Sequence, residues 1–192
     1  MRMTRSGTCA AVLISAGAVV LTGLVTPAAA ATGTYTQPGA ISIGQSAAST
    51  GGAAQTISAS GTASPYPSTA SVGGLVGVVT DVNLTLLGFS HTHPDDVDVM
   101  LVSPGGKRAV VLSDVGGDAD VAGADITLDD QAAQGLPDDA ALVPGTYRPG
   151  NFETGDPFTA PAPDASGAGA ALSVFHDIDL NGTWHLFVVD DR

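Results

Sequence analysis

Hydrophobic and polar positions alternate along several short segments of the chain. In residues 81–86 every second side chain is apolar, which predicts a half-buried β-strand. Residues 97–102 are a nearly continuous apolar run, typical of a central strand, and residues 109–112 resume the pattern after a Ser-Pro-Gly-Gly turn. Residues 172–175 and 183–189 predict the last two strands.

The segments between these strands are rich in turn-forming residues. Residues 130–134 predict one helical turn, and residues 142–163 predict a Pro- and Gly-rich loop. Residues 32–71 are rich in Ser, Thr, Gly and Ala and predict an entry segment with edge strands. Residues 72–192 therefore predict an all-β fold, a jelly-roll-like β-sandwich of about eight short strands.

The first 31 residues have the organisation of a secretory signal peptide. Arg2 and Arg5 precede an apolar core over residues 10–25, and the small residues 27–31 supply a cleavage site. A membrane anchor is the alternative, but the apolar run is short and no basic stop-transfer flank follows it. We therefore predict an extracellular chain that does not stay in the membrane once residues 1–31 are removed.

Composition and charge narrow the function classes. The chain of 192 residues has a formal net charge of −13, which becomes −15 without Arg2 and Arg5. So acidic a chain lacks the clustered Lys and Arg that nucleic acid binding needs. Cys9 is the single cysteine, so an exported domain without it has no disulfide and relies on its core or on bound ions. Glu153 is the single glutamate, and the many aspartates are typical of turns and oxygen-ligand metal loops.

Aspartates at two places in the sequence predict a calcium site. Asp95, Asp96 and Asp98 follow a proline in an expected loop, and Asp114 precedes a Gly-Gly pair two residues later. Ca²⁺ takes about six to eight oxygen ligands, and short aspartate side chains on turns supply several at once. Bound divalent cations would also relieve the repulsion among the carboxylates. We predict that these four aspartates bind calcium.

Two other aspartate-rich loops and a histidine pair favour simpler interpretations. Residues 118–120 and 177–182 each have half of a calcium-loop pattern, but a solvated turn explains them better. His91 and His93 have the spacing of a transition-metal pair on a strand. Pro94 ends that strand, so we expect both rings to shape the loop instead.

Three blocks of sequence, taken in order, resemble a known family. They are residues 89–106 (FSHTHPDDVDVMLVSPGG), 112–117 (LSDVGG) and 181–191 (NGTWHLFVVDD). They are similar to the P domain, or Homo B domain, which follows the catalytic domain of kexin- and furin-type proprotein convertases. The resemblance begins near residue 63 and implies a jelly-roll sandwich that stabilises or positions a subtilisin-type serine endopeptidase and often binds calcium.

The chain departs from this family at two positions. His93 stands where the family has an aromatic residue. The family continues past Asp190 and Asp191 to a final Trp-containing strand, whereas this sequence ends at Arg192. The resemblance therefore implies a missing last strand and an open sheet edge.

The sequence contains none of the local motifs that carry catalysis in subtilisin-like proteases. A Ser–His–Asp triad would need an Asp-Ser/Thr-Gly, a His-Gly and a Gly-Thr-Ser motif, and none is present. A Gly-x-Ser-x-Gly elbow is also absent. We expect a non-catalytic accessory domain of a secreted serine protease, with a stand-alone binding or adhesion module for a cell-surface polymer or protein as the alternative. The basic pair Lys107-Arg108 predicts a hairpin tip rather than a processing site.

Overall fold

The structure is a computed structural model that describes residues 11–15, 19–26, 31–37, 39–43, 61–153 and 155–192. These residues form twelve β-strands and two short 3-10 helices. The strands are β1 (Ala11–Ser15), β2 (Val19–Thr26), β3 (Ala31–Gln37), β4 (Gly61–Thr62), β5 (Ser68–Val72), β6 (Val78–His91), β7 (Val97–Val102), β8 (Arg108–Ser113), β9 (Val121–Leu128), β10 (Gly145–Tyr147), β11 (Gly150–Asn151) and β12 (Gly182–Asp190). The 3-10 helices are Pro94–Asp96 and Leu172–Phe175.

The strands form two sheets. The first has the order β10-β9-β6-β1-β2-β3, with a further pairing of β6 and β2. The second has the order β11-β8-β7-β12-β4, and β5 also pairs with β12. The predicted all-β sandwich is confirmed, with more strands than the sequence pattern predicts.

The main core lies between the sheets and is filled by alternate positions of the long strands. The apolar residues of β6, β9, β7 and β12 that meet there include Val82, Leu84, Leu86, Ile126, Leu128, Val97, Val99, Leu101, Trp184, Leu186 and Val188. Trp184 is fully buried, its Nε1 donates to Leu180 O over 2.9 Å, and its ring packs edge-on against Phe175. Trp184, Leu186 and Val188 therefore form the inward face of the last strand.

The outer face of the second sheet is buried as well. Residues 155–169, which we call the strap, cross this face. Side chains of β7, β8 and β12 on this face form a second apolar cluster of Met100, Val102, Val110 and Phe187. Side chains packed against that cluster are Tyr66 and the strap residues Phe158, Ala162, Ala165 and Ala168. β7 is thus buried on both faces, which explains its nearly unbroken apolar sequence.

The last strand, β12, is paired on both sides. It pairs antiparallel with β7 over residues 185–190, and its other edge pairs with β5 over residues 182–186 and with β4 at residues 189–190. Two short strands within residues 61–72 thus cover the second edge of β12 and form the edge of this sheet themselves. β4 and all but the last residue of β5 lie in the predicted entry segment of residues 32–71, for which the sequence predicts edge strands.

Two strands lie within the segment predicted to be a leader. β1 pairs parallel with β6, and β2 pairs antiparallel with both β1 and β6. The rest of the predicted leader, except for its last residue, lies outside the described residues. Pairing in the full chain does not test removal during export, so the leader stays a prediction. Among the described residues, no helix has the length and hydrophobicity needed to cross a membrane.

Three local predictions differ from the structure. Residues 172–175 form a 3-10 helix instead of a strand, because the Asp130 carboxylate accepts hydrogen bonds from the Leu172 and Ser173 amides and so fixes a helical start. In place of the expected helical turn at residues 130–134, a single hydrogen bond from Ala132 N to Asp129 O closes a turn, and residues 133–134 are bends. The expected loop at residues 142–163 contains β10 and β11, each paired parallel with a longer strand.

The polar positions of the alternating segment in β6 are buried together with the apolar ones. Its polar residues Asp81, Asn83 and Thr85 are also buried, although the pattern predicts a half-buried strand. Thr85 Oγ1 hydrogen-bonds to Thr127 Oγ1 on β9, and Gln131 Nε2 donates to Asp81 Oδ1. These hydrogen bonds offset the cost of burying Asp81 and Thr85, whereas Asn83 Oδ1 is buried without a partner.

The basic pair lies in the β7–β8 hairpin, as predicted. The Lys107 amide donates to Ser103 Oγ, and Ser103 N donates to Lys107 O, which closes the turn. Arg108 begins β8 opposite Val102 and donates from Nη2 to Ser166 O in the strap. This hydrogen bond anchors the strap at the start of β8.

Candidate metal centre

Three carboxylates from distant parts of the chain meet on the outer face of the second sheet. Asp98, Asp114 and Asp156 each offer an oxygen, and these oxygens all lie within 4.8 Å of one another. Among the residues that the structure describes, this is the one such group of potential metal-ligating side chains. A cation at its centre would be reached by all three carboxylates at once.

Asp98 is contributed by β7. Its neighbours Val97 and Val99 belong to the core between the sheets, so the period-2 alternation sends Asp98 to the outer face with Met100. Asp98 is only 2% exposed, and its Oδ2 is buried with no hydrogen-bond partner. An unpaired buried carboxylate oxygen is costly, and a bound cation would remove that cost.

Asp114 is contributed by the turn that follows β8. Its φ of +53° is in the left-handed region, which aspartate tolerates better than most residues. Asp114 Oδ2 accepts hydrogen bonds from Ser113 Oγ at 2.7 Å and from Glu153 N at 3.2 Å. Gly117 follows with a φ of +55°, and a Cβ there would lie 2.6 Å from Asp139 O, so the turn is packed tightly in place.

Asp156 is contributed by the strap. It lies two residues before Phe158, which packs on the outer apolar cluster. The strap is further anchored by hydrogen bonds from Tyr66 Oη to Thr159 O and from Val110 N to Gly169 O. The candidate centre therefore joins the strap to the sheet near one end of the strap.

The electrostatics of the cluster are those of crowded acids. Burial raises the pKa of Asp98 to about 8, and repulsion from Asp156 adds to the shift, while a hydrogen bond from Ser113 opposes it. The pKa of Asp156 is also raised, by burial first and by Asp114 second. Without a cation, a proton on Asp98 relieves this repulsion at neutral pH, so a proton and a cation compete for the same oxygens.

The negative field extends beyond the three clustered carboxylates. Burial, followed by repulsion from Asp114, raises the pKa of Asp95. Burial also raises the pKa of Asp191, with Asp96 and Asp114 adding to it and Arg192 opposing it. Such a field favours cations over anions at this end of the molecule.

The structure brings together part of the predicted calcium set. Asp98 and Asp114 are in the cluster, whereas Asp95 and Asp96 lie in the 3-10 helix and do not belong to the group within 4.8 Å. Sequence reasoning missed Asp156, which stands in a Gly-Asp-Pro sequence within the aperiodic loop. The sequence shows only an isolated aspartate in a loop at this position. Its place in the cluster depends on the folding of the strap onto the sheet.

The other candidate ion sites have ordinary structural roles. His91 Nε2 contacts Asp190 Oδ2 at 3.2 Å, and His91 Nδ1 lies 2.6 Å from His93 O. Asp179 Oδ1 accepts hydrogen bonds from the Asn181 amide and side chain, which lower the pKa of Asp179. These contacts support the predicted loop-shaping and turn roles.

Comparison of the chain with protein-family models, curated proteins and solved structures gives no match. The resemblance to the P domain thus remains a prediction carried by the three sequence blocks. In the structure, these blocks supply the end of β6, the adjacent strands β7 and β12, and the turn after β8.

Proposed function

We propose that the chain is a non-catalytic, secreted β-sandwich whose fold is completed by calcium at Asp98, Asp114 and Asp156. The observation that carries this proposal is the buried, unpartnered Oδ2 of Asp98, which lies among two further carboxylates. All three ligands are hard oxygen donors without nitrogen or sulfur, a set that suits Ca²⁺ better than Zn²⁺ or Cu²⁺. Waters and bidentate carboxylates would complete its coordination.

In this role calcium is structural and not catalytic, because it holds the strap on the second sheet. The strap contributes Asp156, and the sheet contributes the other two ligands. Binding therefore ties the strap over Met100, Val102 and Phe187. Calcium bound only by the folded state adds to its stability by mass action. This suits an exported domain that has no disulfide to stabilise it.

We infer that the domain is an accessory domain of a serine protease, as P domains are. The first two family-like blocks supply Asp98 and Asp114 of the carboxylate cluster, and the third supplies β12, which pairs with β7. This proximity of the three blocks supports the choice. Both ring nitrogens of His91 are engaged by Asp190 and His93, so this histidine is not poised as a general base for a serine. The domain would thus stabilise or position a separate endopeptidase.

The accessory role is tested by capture. The purified chain is immobilised in calcium and exposed to the culture fluid of the cells that produce it, and bound serine hydrolases are labelled with a fluorophosphonate probe. Recovery of a labelled subtilisin-type enzyme, lost with the Asp98→Asn variant, supports the proposal. Binding to purified cell-wall polymer with no labelled enzyme favours the alternative, a stand-alone adhesion module.

A further inference from the structure

A second buried oxygen without a partner lies beside the carboxylate cluster. Asn151, in β11, has its Oδ1 buried with no hydrogen-bond partner. β11 pairs in parallel with β8, and Asn151 is in register with Ser113. Ser113 is the residue whose hydroxyl donates to Asp114. An orphaned amide oxygen therefore stands on the strand next to the candidate site.

The register determines the face to which Asn151 belongs. Residues paired across a parallel ladder project to the same side of a sheet, so Asn151 shares the outer face with Ser113. The preceding Gly150 agrees with this, because a Cβ there would lie 3.2 Å from the Phe152 ring and 3.4 Å from Leu136 Cβ, and Leu136 belongs to the core between the sheets. The side chain that follows Gly150 then points away from that core.

The same row continues onto β7. Val99 pairs with Leu112, so Asp98 and Ser113 are neighbours across the next pair of strands. Asp98, Ser113 and Asn151 form a polar row over three adjacent strands, with an unpartnered oxygen at each end. Adjacent side chains in such a row lie about 5 Å apart at Cβ, so a cation above Ser113 is within reach of both ends.

We propose that Asn151 Oδ1 is a fourth protein ligand of the cation held by Asp98, Asp114 and Asp156. This inference rests on the proposed calcium site and specifies its coordination. A neutral amide oxygen raises the ligand count without adding to the three negative charges already present. A higher count of protein oxygens favours Ca²⁺ over Mg²⁺, since Mg²⁺ keeps several waters and requires near-octahedral geometry.

The test compares calcium affinity and bound water in variants of the full chain. Calcium is titrated calorimetrically, and Eu³⁺ luminescence lifetimes in H₂O and D₂O count the waters on the ion. Asn151→Ala should bind Ca²⁺ about 10- to 100-fold more weakly. It should also carry about one additional water on Eu³⁺, because water replaces the lost oxygen. Wild-type affinity and an unchanged water count in this variant overturn the inference.

Two further variants make the result specific. Asn83→Ala is the matched control, because Asn83 Oδ1 is also buried without a partner but lies on β6 of the other sheet. It should leave affinity and water count unchanged, and an equal loss in both variants overturns the assignment. Asn151→Asp keeps an oxygen in place and should bind calcium at least as tightly as the wild type, so weaker binding by a folded Asn151→Asp also contradicts it.

The two proposals fail differently. If the wild-type chain binds no calcium, the proposed site and its fourth ligand are both wrong. If the wild type binds calcium, Asp98→Asn abolishes binding and Asn151→Ala does not weaken it, the site stands and the role of Asn151 is wrong.

Discussion

His91 on β6 and Asp190 on β12 join the two sheets through a contact of 3.2 Å between Nε2 and Oδ2. Both side chains are buried, at 5% and 1% exposure. His93 O lies 2.6 Å from the other ring nitrogen, so the imidazole is fixed from both sides. This contact links the first and last of the three family-like blocks.

The His91–Asp190 contact should contribute to stability. Asp190→Ala leaves a buried ring nitrogen unsatisfied and should lower the free energy of unfolding by about 1–3 kcal/mol, measured by urea denaturation. Asp190→Asn keeps an acceptor oxygen and should cost less. In a double-mutant cycle, His91→Ala and Asp190→Ala should be non-additive, whereas strictly additive losses would show that the two side chains do not interact.

Calcium should raise the thermal stability of the chain. A ligand bound only by the folded state stabilises it by about 2.7 kcal/mol at about 100 times its Kd. The difference between melting temperatures in calcium and in chelator should shrink in Asp98→Asn and Asp156→Asn. The exposed Asp120→Asn is the control and should keep the full difference.

The same scan separates the two parts of the aspartate set predicted from sequence. Asp95→Ala and Asp96→Ala should keep most of the calcium response, since both residues lie outside the cluster. A response lost in these variants and retained in Asp156→Asn would move the ion to the 3-10 helix. No response in the wild type would remove calcium from the account.

The stability of the chain in chelator and the extra stability that calcium adds should depend on pH with opposite signs. The pKa of Asp98 is about 8 in the folded chain, against 3.8 for an unperturbed aspartate. Between these values the folded state holds the proton more tightly, so in chelator the free energy of unfolding should fall as pH rises from about 4 to about 8. The raised pKa of Asp156 acts in the same direction. Calcium needs the deprotonated carboxylate, so the extra stability it provides should grow over this range.

Denaturant titrations at several pH values measure this dependence. Asp98→Asn replaces the buried acid by a neutral group of the same shape, so it should flatten the decline in chelator and be more stable than the wild type above about pH 8. It should also lose the calcium response. A wild-type chain whose stability in chelator rises with pH through this range would contradict the burial of a protonated Asp98.

Removal of calcium should loosen the strap. Phe158 packs on the outer apolar cluster in the folded chain, and Asp156 ties the strap to the sheet. Chymotrypsin should therefore cleave after Phe158 much faster in chelator than in calcium, which mass spectrometry of the fragments detects. Tyr35 lies on β3 of the other sheet and provides an internal reference for cleavage away from the candidate site. Equal rates of cleavage after Phe158 in chelator and in calcium would show that the cation does not hold the strap on the sheet.

The purified chain should not hydrolyse casein or dibasic peptide substrates. The expectation follows from the missing triad motifs and from the engaged ring of His91. Turnover that a serine-directed inhibitor abolishes would contradict the non-catalytic proposal, and the same assay with Ser113→Ala would then ask whether the cluster serine is involved.

The sequence predicts the strands that pack on both faces or alternate strictly. β7 is found at residues 97–102 as predicted, and β12 extends the predicted strand by one residue at each end. Periodicity is informative there because the burial of these strands is set by their own side chains. It fails at residues 172–175, where Leu172 and Phe175 are buried three residues apart in a 3-10 helix, and four residues are too few to separate the two patterns.

The candidate site shows the same division. Asp98 and Asp114 could be predicted because they flank or belong to strands with clear signals. Asp156 and Asn151 could not, since they reach the site only when the strap and β11 fold back onto the sheet beside β8. No pattern within either segment records a contact with strands so distant in sequence. Contacts between segments so far apart cannot be predicted from local patterns in a single sequence.

The position of Lys107 and Arg108 in the β7–β8 hairpin should protect the chain from proteases that cleave after pairs of basic residues. These residues form the single pair of adjacent basic residues in the chain. A protease specific for such pairs needs the peptide bond after Arg108 in an extended, accessible segment, but Ala109 is fully buried and paired with Leu101. Cleavage would require the sheet to open first. A chain built this way resists the very specificity with which dibasic-cleaving proteases select their substrates.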